Sequence, residues 1–257
     1  MASFLPLKNK VICITGAAQG IGQGIARYVA ARGAHLSLAD ISDAKLKATA
    51  RGLSEAAAPG SRVFARQLDV ADPIAVEKWV ADTKSEFGRI DGCVNNAGIF
   101  GSEPAPLTDT SFEDWSRTIA VNLTGTFNCL KHQLRAAEDG ASIVNMSSAA
   151  GLHGAPIFAA YSASKHGIIG LTRCAALQSA ARRIRVNAVC PSYVDTPMFA
   201  DSVEATGGGL QIEGVNQMFP RLATPDDVAG LVGYLLGDES KFVTDSVYRV
   251  DGGFKSF

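Results

Sequence analysis

Lys10-Val-Ile-Cys-Ile-Thr15, followed at once by Gly16-Ala-Ala-Gln-Gly20-Ile-Gly22 and an alanine-rich stretch to Arg32, decides the fold. A short, unbroken apolar run predicts a strand buried on both faces, as in a parallel sheet. The glycines let backbone pass close to a ligand, and the N–H groups that open the following helix attract negative charge. Strand, glycine turn and helix therefore suit a pyrophosphate. A tight turn with no ligand uses the same residues, so the glycines alone do not choose. Asp40 does: it follows the second apolar run, His35-Leu-Ser-Leu-Ala39, and lies 24 positions after Gly16. A carboxylate about 20 residues beyond such a turn accepts ribose hydroxyls.

Outward from this unit, strand-like and helix-like runs alternate. Strands are expected near 10–15, 34–39, 62–68, 91–95, 141–147, 184–190 and 246–250, with helices between them, one of them over Ala159 to Ala181. This alternation predicts right-handed βαβ units and an α/β fold with a doubly wound, seven-stranded parallel sheet covered by helices on both faces. Residues 1–257 form one expected domain, with 1–100 mainly the dinucleotide half and 101–257 the catalytic and substrate half. No repeat, linker or low-complexity tract interrupts it. One insertion does, from Asp195 to about Arg221, where Pro197-Met-Phe and Gln217-Met-Phe-Pro flank Gly207-Gly-Gly209. Glycine freedom beside apolar residues suits a lid that closes on a ligand; the plainer alternative is a surface loop.

With 47% hydrophobic and 19% charged residues, the 257 residues suffice for one sizeable core. A formal net charge of −1 argues against nucleic-acid partners or an anionic membrane. The basic cluster Arg182-Arg183-Ile-Arg185 reads as cations at a helix C-terminus. Cys13, Cys93, Cys129, Cys174 and Cys190 are scattered, mostly inside apolar runs, and predict reduced, buried thiols and no disulfide. No C-x-x-C pair occurs, and His35, His132, His153 and His166 form no ligand pattern, so no metal site is expected. No stretch approaches 18 apolar residues, and the N-terminus lacks a signal-peptide core. The expected location is the cytoplasm.

Chemistry concentrates at Tyr161-Ser-Ala-Ser-Lys165. On a helix, positions i and i+4 share a face, so Tyr161 and Lys165 can cooperate. A phenol titrates near 10, and a neighbouring ammonium favours phenolate. Lowering that pKa by about 3 units takes about 4 kcal/mol, more than one exposed charge supplies. A second cation is expected, and an oxidised nicotinamide would provide it.

Thr15-Gly-Ala-Ala-Gln-Gly-Ile-Gly22, Asn95-Asn-Ala-Gly98, Asn122, Ser148, Tyr161 and Lys165, in this order and spacing, resemble the full signature of the short-chain dehydrogenase/reductases. The likeness extends to Val250-Asp-Gly-Gly253. It implies a Rossmann-type fold in which Tyr161 exchanges a proton with the substrate oxygen and Ser148, thirteen positions upstream, hydrogen-bonds that oxygen. Lys165 would hold the nicotinamide ribose and lower the tyrosine pKa, while Asn122 would help hold a water feeding protons through Lys165. Read without the resemblance, Asn122 is a helix-interior amide satisfied locally. For the cofactor, the resemblance implies Gly16, Gln19, Gly20, Ile21 and Gly22 at the pyrophosphate turn, Asp40 and Ile41 at the ribose, and Asp69 with Val70 at the adenine. Asn95, Ala97 and Gly98 would line the adenosine half, and Pro191, Val194 and Thr196 the nicotinamide end. Ser192 and Asp245 depart from the family pattern, which usually has glycine at both places. A homotetramer is also implied, with interfaces on the helices of 112–137 and 159–181.

Asp40 would repel a 2′-phosphate, and neither Gln19 nor Ile41 offsets it with a cation, so the expected cofactor is NAD and the expected direction alcohol oxidation. Ile99, Phe100, His153, Phe158, Tyr193, Met198, Phe199, Met218 and Phe219 suggest an apolar pocket for a secondary alcohol on a terpenoid, steroid-like or other secondary-metabolite skeleton. His153 is equally readable as a locally satisfied loop residue, and the lid residues as packing on their own domain. Two rivals remain: an NADPH-dependent 3-oxoacyl carrier-protein-type reductase, against which Asp40 speaks, and a non-catalytic dinucleotide-binding scaffold, against which the intact Ser148, Tyr161 and Lys165 set speaks.

Overall fold

The computed structural model of the protein describes residues 5–101, 104–207 and 217–254. Seven strands form one parallel sheet: β1 (Val11–Thr15), β2 (His35–Asp40), β3 (Val63–Gln67), β4 (Gly92–Asn95), β5 (Ser142–Met146), β6 (Arg185–Pro191) and β7 (Val247–Val250). Their spatial order is β3-β2-β1-β4-β5-β6-β7. The chain winds outward one way from β1 and then the other way from β4, so a crevice opens above the carboxyl ends of these two central strands.

The pleat explains why the central strands β1 and β4 carry no polar side chain before Thr15 and Asn95 at their carboxyl ends. Ile12 and Ile14 point to one face, where they meet Ile25 and Val29 of α1 (Gly20–Ala30), Leu46 of α2 (Asp43–Ala56) and Val232 and Leu235 of α8 (Pro225–Leu236). Cys13 and Cys93 point to the other, against Trp79 of α3 (Pro73–Phe87), Leu130 of α5 (Gly125–Ala136) and Ala176 of α6 (Ala159–Ser179). Side chains alternate along a strand, so a strand covered on both faces needs an apolar residue at every position. Each fully buried Ile or Leu stabilises by about 1.5–3 kcal/mol.

Helix ends show where the sequence spends polar groups. Asp72 caps α3 by accepting from the N–H groups of Ile74 and Ala75, and Gly88 closes that helix in the left-handed region. Thr224 and Asp227 form a capping box at α8. By contrast, α1 starts with no side-chain cap and no acidic residue in its first turn. Between α4 (Phe112–Ile119) and α5 the chain makes one wide turn, Ala120–Thr124, in which Gly125 N–H reaches back five residues to Ala120 O. The insertion after Thr196 begins as α7 (Pro197–Ala205), with Thr196 accepting from Phe199 N–H. The centre of the expected lid lies outside the described residues, as do Gly208 and Gly209.

Candidate active site

The glycine turn is stitched to the neighbouring strand. Thr15 Oγ1 accepts from the N–H groups of Asn96 and Ala97, both at 3.1 Å, and Asn96 Nδ2 donates to Thr15 O and Gly16 O. Asn95, expected to line the adenosine half, turns its side chain into the sheet instead, bonded to Gln133 and Asn145. Gly16 has φ +63°, and a methyl there would stand 2.9 Å from Ala97 Cα; one on Gly22 would collide with Gly16 O. Backbone packed this closely leaves the open N–H groups at the start of α1 facing the crevice side of the turn, the arrangement that receives a pyrophosphate. Asp40 is aimed at this turn: Oδ2 accepts from Ala18 N–H at 3.0 Å and Oδ1 from Ser42 N–H at 2.9 Å. Each oxygen keeps a lone pair for a ribose hydroxyl. The residues present thus fit a dinucleotide.

Around them, Ile21 lies in the first turn of α1, Ile41 is exposed, and Gln19 accepts from Lys45 Nζ at 2.7 Å. Lys45 is a cation that the sequence reading overlooked. Asp69 is exposed and accepts from Ala71 N–H, while Val70 is buried and its carbonyl accepts from Asn128. Pro191 ends β6, Val194 is buried against Ala223, and the Thr196 methyl lies beside Gly20, which joins the β6 loop to the glycine turn.

The second cluster gathers at the ends of β4 and β5 and the start of α6. Ser148 accepts from Ala150 N–H, and its hydroxyl acts on the Tyr161 phenol, favouring the ionised form. Ser147 is committed elsewhere, donating to Lys165 O at 2.8 Å. Lys165 Nζ donates to Met146 O at 2.9 Å and lies 5.5 Å from the centre of the Tyr161 ring. Gly98 stands beside both Lys165 Nζ and Asn122 Oδ1. Asn122, at the wide turn, is not satisfied locally. Its Nδ2 donates to Ile99 O (2.9 Å) and Ser164 Oγ (3.1 Å), and its Oδ1 accepts from Ile99 N–H (2.8 Å).

Burial dominates the protonation of this pair. It pushes the Tyr161 phenol up to about 12, against the downward pull of the Ser148 hydroxyl. It pulls the Lys165 ammonium down to about 8. Desolvation disfavours whichever form is charged, so both groups move towards neutrality. The ammonium alone therefore does not make a phenolate.

Rings wall the rest of the crevice. Phe100 stacks on Tyr161 at 4.3 Å and 16°, and meets Phe158 edge-on at 4.5 Å and 87°. Tyr193 packs against Phe199 and Phe254, and Phe254 also approaches His153. His153 Nε2 is buried with no hydrogen-bond partner, so local satisfaction does not account for it. Met198 is exposed. Met218 and Phe219, expected in the pocket, pack on the β7 turn, where both N–H groups donate to Gly252 O. They border a cavity of about 430 Å³, whose lining includes Ser192, Arg221 and Arg249. The Ser192 hydroxyl faces Gln217 there at 3.4 Å. Asp245 adopts φ +59°, the backbone region where the family's glycine is unstrained. Among the described residues there is no group of three or more His, Cys, Asp or Glu able to hold a metal, and no helix long and apolar enough to cross a membrane.

A doubly wound sheet with a glycine cradle, a ribose-directed carboxylate and a Ser-Tyr-Lys cluster defines a dinucleotide-dependent oxidoreductase. Residues 16–255 match the family model described as enoyl-(acyl carrier protein) reductase. The chain is 40% identical to short-chain dehydrogenase/reductase ABA4 of Pyricularia oryzae, over 99% of this chain and 95% of that protein. It is 39% identical to cyclohexanol dehydrogenase of Acinetobacter sp. and 40% identical to cis-4-hydroxycyclohexanecarboxylate dehydrogenase of Sinomonas cyclohexanicum, over 96% of each chain in both cases. Levodione reductase superposes with a TM-score of 0.90 at 33% identity, covering 96% of this chain and 97% of that one. NAD⁺-bound xylitol dehydrogenase superposes at 0.88 and 33%, covering 96% and 99%. The chain belongs to the short-chain dehydrogenase/reductase family, an oxidoreductase whose fold binds a nicotinamide dinucleotide.

Proposed function

We propose that this chain is an NAD-dependent dehydrogenase that oxidises a secondary alcohol on an apolar ring. The observation that carries the reading is the Ser148, Tyr161 and Lys165 cluster opening onto a wall of aromatic side chains. Tyr161 takes the hydroxyl proton as the alcohol becomes a ketone, and returns it in the reverse reaction. Ser148 hydrogen-bonds the substrate oxygen, and Lys165 holds the ribose beside the phenol. When bound, the oxidised nicotinamide supplies the hydride acceptor and a positive charge. That charge favours phenolate at a phenol which burial otherwise holds protonated. Asn122 holds the Ile99 peptide and so the shape of the crevice; both of its amide hydrogens are used within the protein.

Gly16 to Gly22, Asp40, Ile41, Asp69, Val70, Ala97, Gly98, Pro191, Val194 and Thr196 form the cofactor side, mostly within 1–100, with the alcohol side and the lid of about 195–221 in the remainder. NAD is favoured because Asp40 is held against the glycine turn by Ala18 N–H, where its carboxylate would repel a 2′-phosphate, while Lys45 is tied to Gln19. A ring is favoured because burying one against Phe158, Tyr193, Phe199 and Phe254 gains about 25 cal/mol per Å² of apolar surface. The relatives that act on cyclohexanol and on a hydroxycyclohexane acid support the same choice. A homotetramer is supported by the apolar residues left exposed on the expected interface helices, Phe112, Phe127 and Leu177.

The test measures NADH and NADPH formation with cyclohexanol, cyclohexane-1,4-diol, a menthol-type alcohol, sugars and charged 3-hydroxy acids. Cyclic alcohols should lead and NAD should exceed NADP by at least about tenfold in kcat/KM, or about 1.4 kcal/mol. Asp40→Ser with Ile41→Arg should move that ratio towards NADP. Charged hydroxy acids outperforming every cyclic alcohol would overturn the substrate reading, and an unmoved cofactor ratio the role of Asp40.

A further inference from the structure

Tyr161 occupies a weak place in its helix. It lies in the first turn of α6, and that end has no side-chain cap. Uncapped first turns leave N–H groups unsatisfied and fray. Proton transfer, in contrast, demands a donor held within hydrogen-bond reach of one atom. Ser148 acts only at the hydroxyl end of the side chain. The ring needs a second constraint.

Phe100 is placed to supply it, and its own position is fixed from three sides. Asn122 grips the preceding peptide through both Ile99 N–H and Ile99 O. The same amide reaches Ser164 Oγ, which donates to Tyr161 O at 2.7 Å, so one side chain links the Phe100 loop to the turn that carries Tyr161. After Phe100, Gly101 turns with φ +106° against Asp114, where a methyl would stand 2.9 Å from Oδ2. A side chain there would be strained and would push the loop away. Phe158, which braces the far edge of the Phe100 ring, is itself held by the bridge between Phe158 and Ala105 and by the Ala105 N–H to Ile157 O bond.

We propose that Phe100 is a positioning residue for Tyr161: its ring, held by the Asn122 clamp, lies flat on the phenol, fixes its orientation and keeps water from that face. The proposal rests on the reading of Tyr161 as the acid/base group. At this distance and angle the two rings are stacked in direct contact. Covering one face of the phenol also contributes to the burial that holds its pKa high.

Phe100→Leu keeps an apolar side chain but removes the stacked ring, and Phe100→Tyr keeps the ring. For Phe100→Leu, kcat for cyclohexanol oxidation should fall at least about tenfold with KM for NAD within about twofold, a loss of transition-state rather than ground-state interactions. The rising limb of its kcat/KM–pH profile should move to lower pH, because a hydrated phenol ionises more readily. Phe100→Tyr should restore the rate and the limb. Tm and NADH binding check folding. A loss of activity with an unmoved limb marks a plain pocket wall and overturns the proposal, as does a kcat for Phe100→Leu within about threefold of the parent. Phenolate absorbance reads the same effect without substrate. Subtracting Phe100→Leu/Tyr161→Phe from Phe100→Leu, and Tyr161→Phe from the parent, each with NAD⁺ bound so that its charge favours phenolate, isolates the Tyr161 signal between pH 8 and 10.5. It should appear at lower pH without the stacked ring. A shift here in an enzyme that oxidises no tested alcohol supports the positioning and removes only the substrate reading; no shift overturns the positioning whatever the substrate.

Discussion

The dinucleotide side of the crevice is made of backbone, while the alcohol side is made of side chains. On the first, Gly16 and Gly22 leave room for the main chain itself, Thr15 and Asn96 tie the turn to β4, and α1 leaves its first N–H groups uncapped. On the second, the rings come from four places, at 100, 153–161, 193–199 and 254, and touch only because the fold folds them together. A backbone site tolerates almost no change but serves any chain that binds the same ligand. A side-chain site can be rewritten one ring at a time. The comparison predicts that substitutions on the first side cost stability and cofactor affinity together, and those on the second redirect chemistry or substrate choice with the cofactor still bound.

Tyr161→Phe should show the largest effect. It removes the transferable proton and keeps the ring stacked on Phe100, so turnover should fall by about 1,000-fold or more, about 4 kcal/mol in barrier, with NADH binding within a few-fold. Paired kinetics and NADH fluorescence titration check this; activity within about tenfold of the parent removes Tyr161 from the mechanism.

Gly22→Ala should come next. Its methyl would meet Gly16 O and stand 2.6 Å from Asn96 Nδ2, so the stitch between β1 and β4 must open at a cost of about 1–3 kcal/mol. Denaturant midpoints and NADH affinity should fall together. Gly230→Ala, in α8 with nothing within 4 Å of the added methyl, is the control and should stabilise by up to about 1 kcal/mol. Equal behaviour of the two variants would break the comparison.

A further effect concerns pH. Unfolded, a lysine keeps its proton to about 10.5, whereas burial makes Lys165 release it at about 8 in the fold. Between those values the unfolded state binds more protons, so raising pH favours the fold. Relative to Lys165→Met, the parent should gain up to about 2–3 kcal/mol from pH 8 to 10, measured by urea unfolding. Parallel stability curves would show that Lys165 is not desolvated.

What the sequence made legible follows the same division. The seven strands, the glycine turn and Asp40 are set by local runs and fixed spacings, and they stand where periodicity and spacing put them. The stack of Phe100 on Tyr161 spans 61 positions and leaves no periodic trace. Asn95 and Asn96 are adjacent identical residues, and only the way the chain leaves β4 decides which faces the glycine turn. Charge counting asked for a second cation beside Lys165; desolvation, which no composition reveals, makes that need larger in the folded chain. Met218 and Phe219 line a cavity, as their character suggested, but they rest on Gly252 and Gly253, a partner that hydrophobicity alone does not name.

The wide turn at Ala120–Thr124 has an evolutionary consequence. One extra residue in a helix rotates everything beyond it by about 100°. Removing it by deletion would swing either Asn122 and α4 away from the Phe100 loop or α5 away from its contacts with α3. No single substitution can do so gradually. The turn therefore behaves as a ratchet: once Asn122 and its clamp depended on it, drift could recolour the surrounding side chains but could not straighten the helix without losing both of its ends at once.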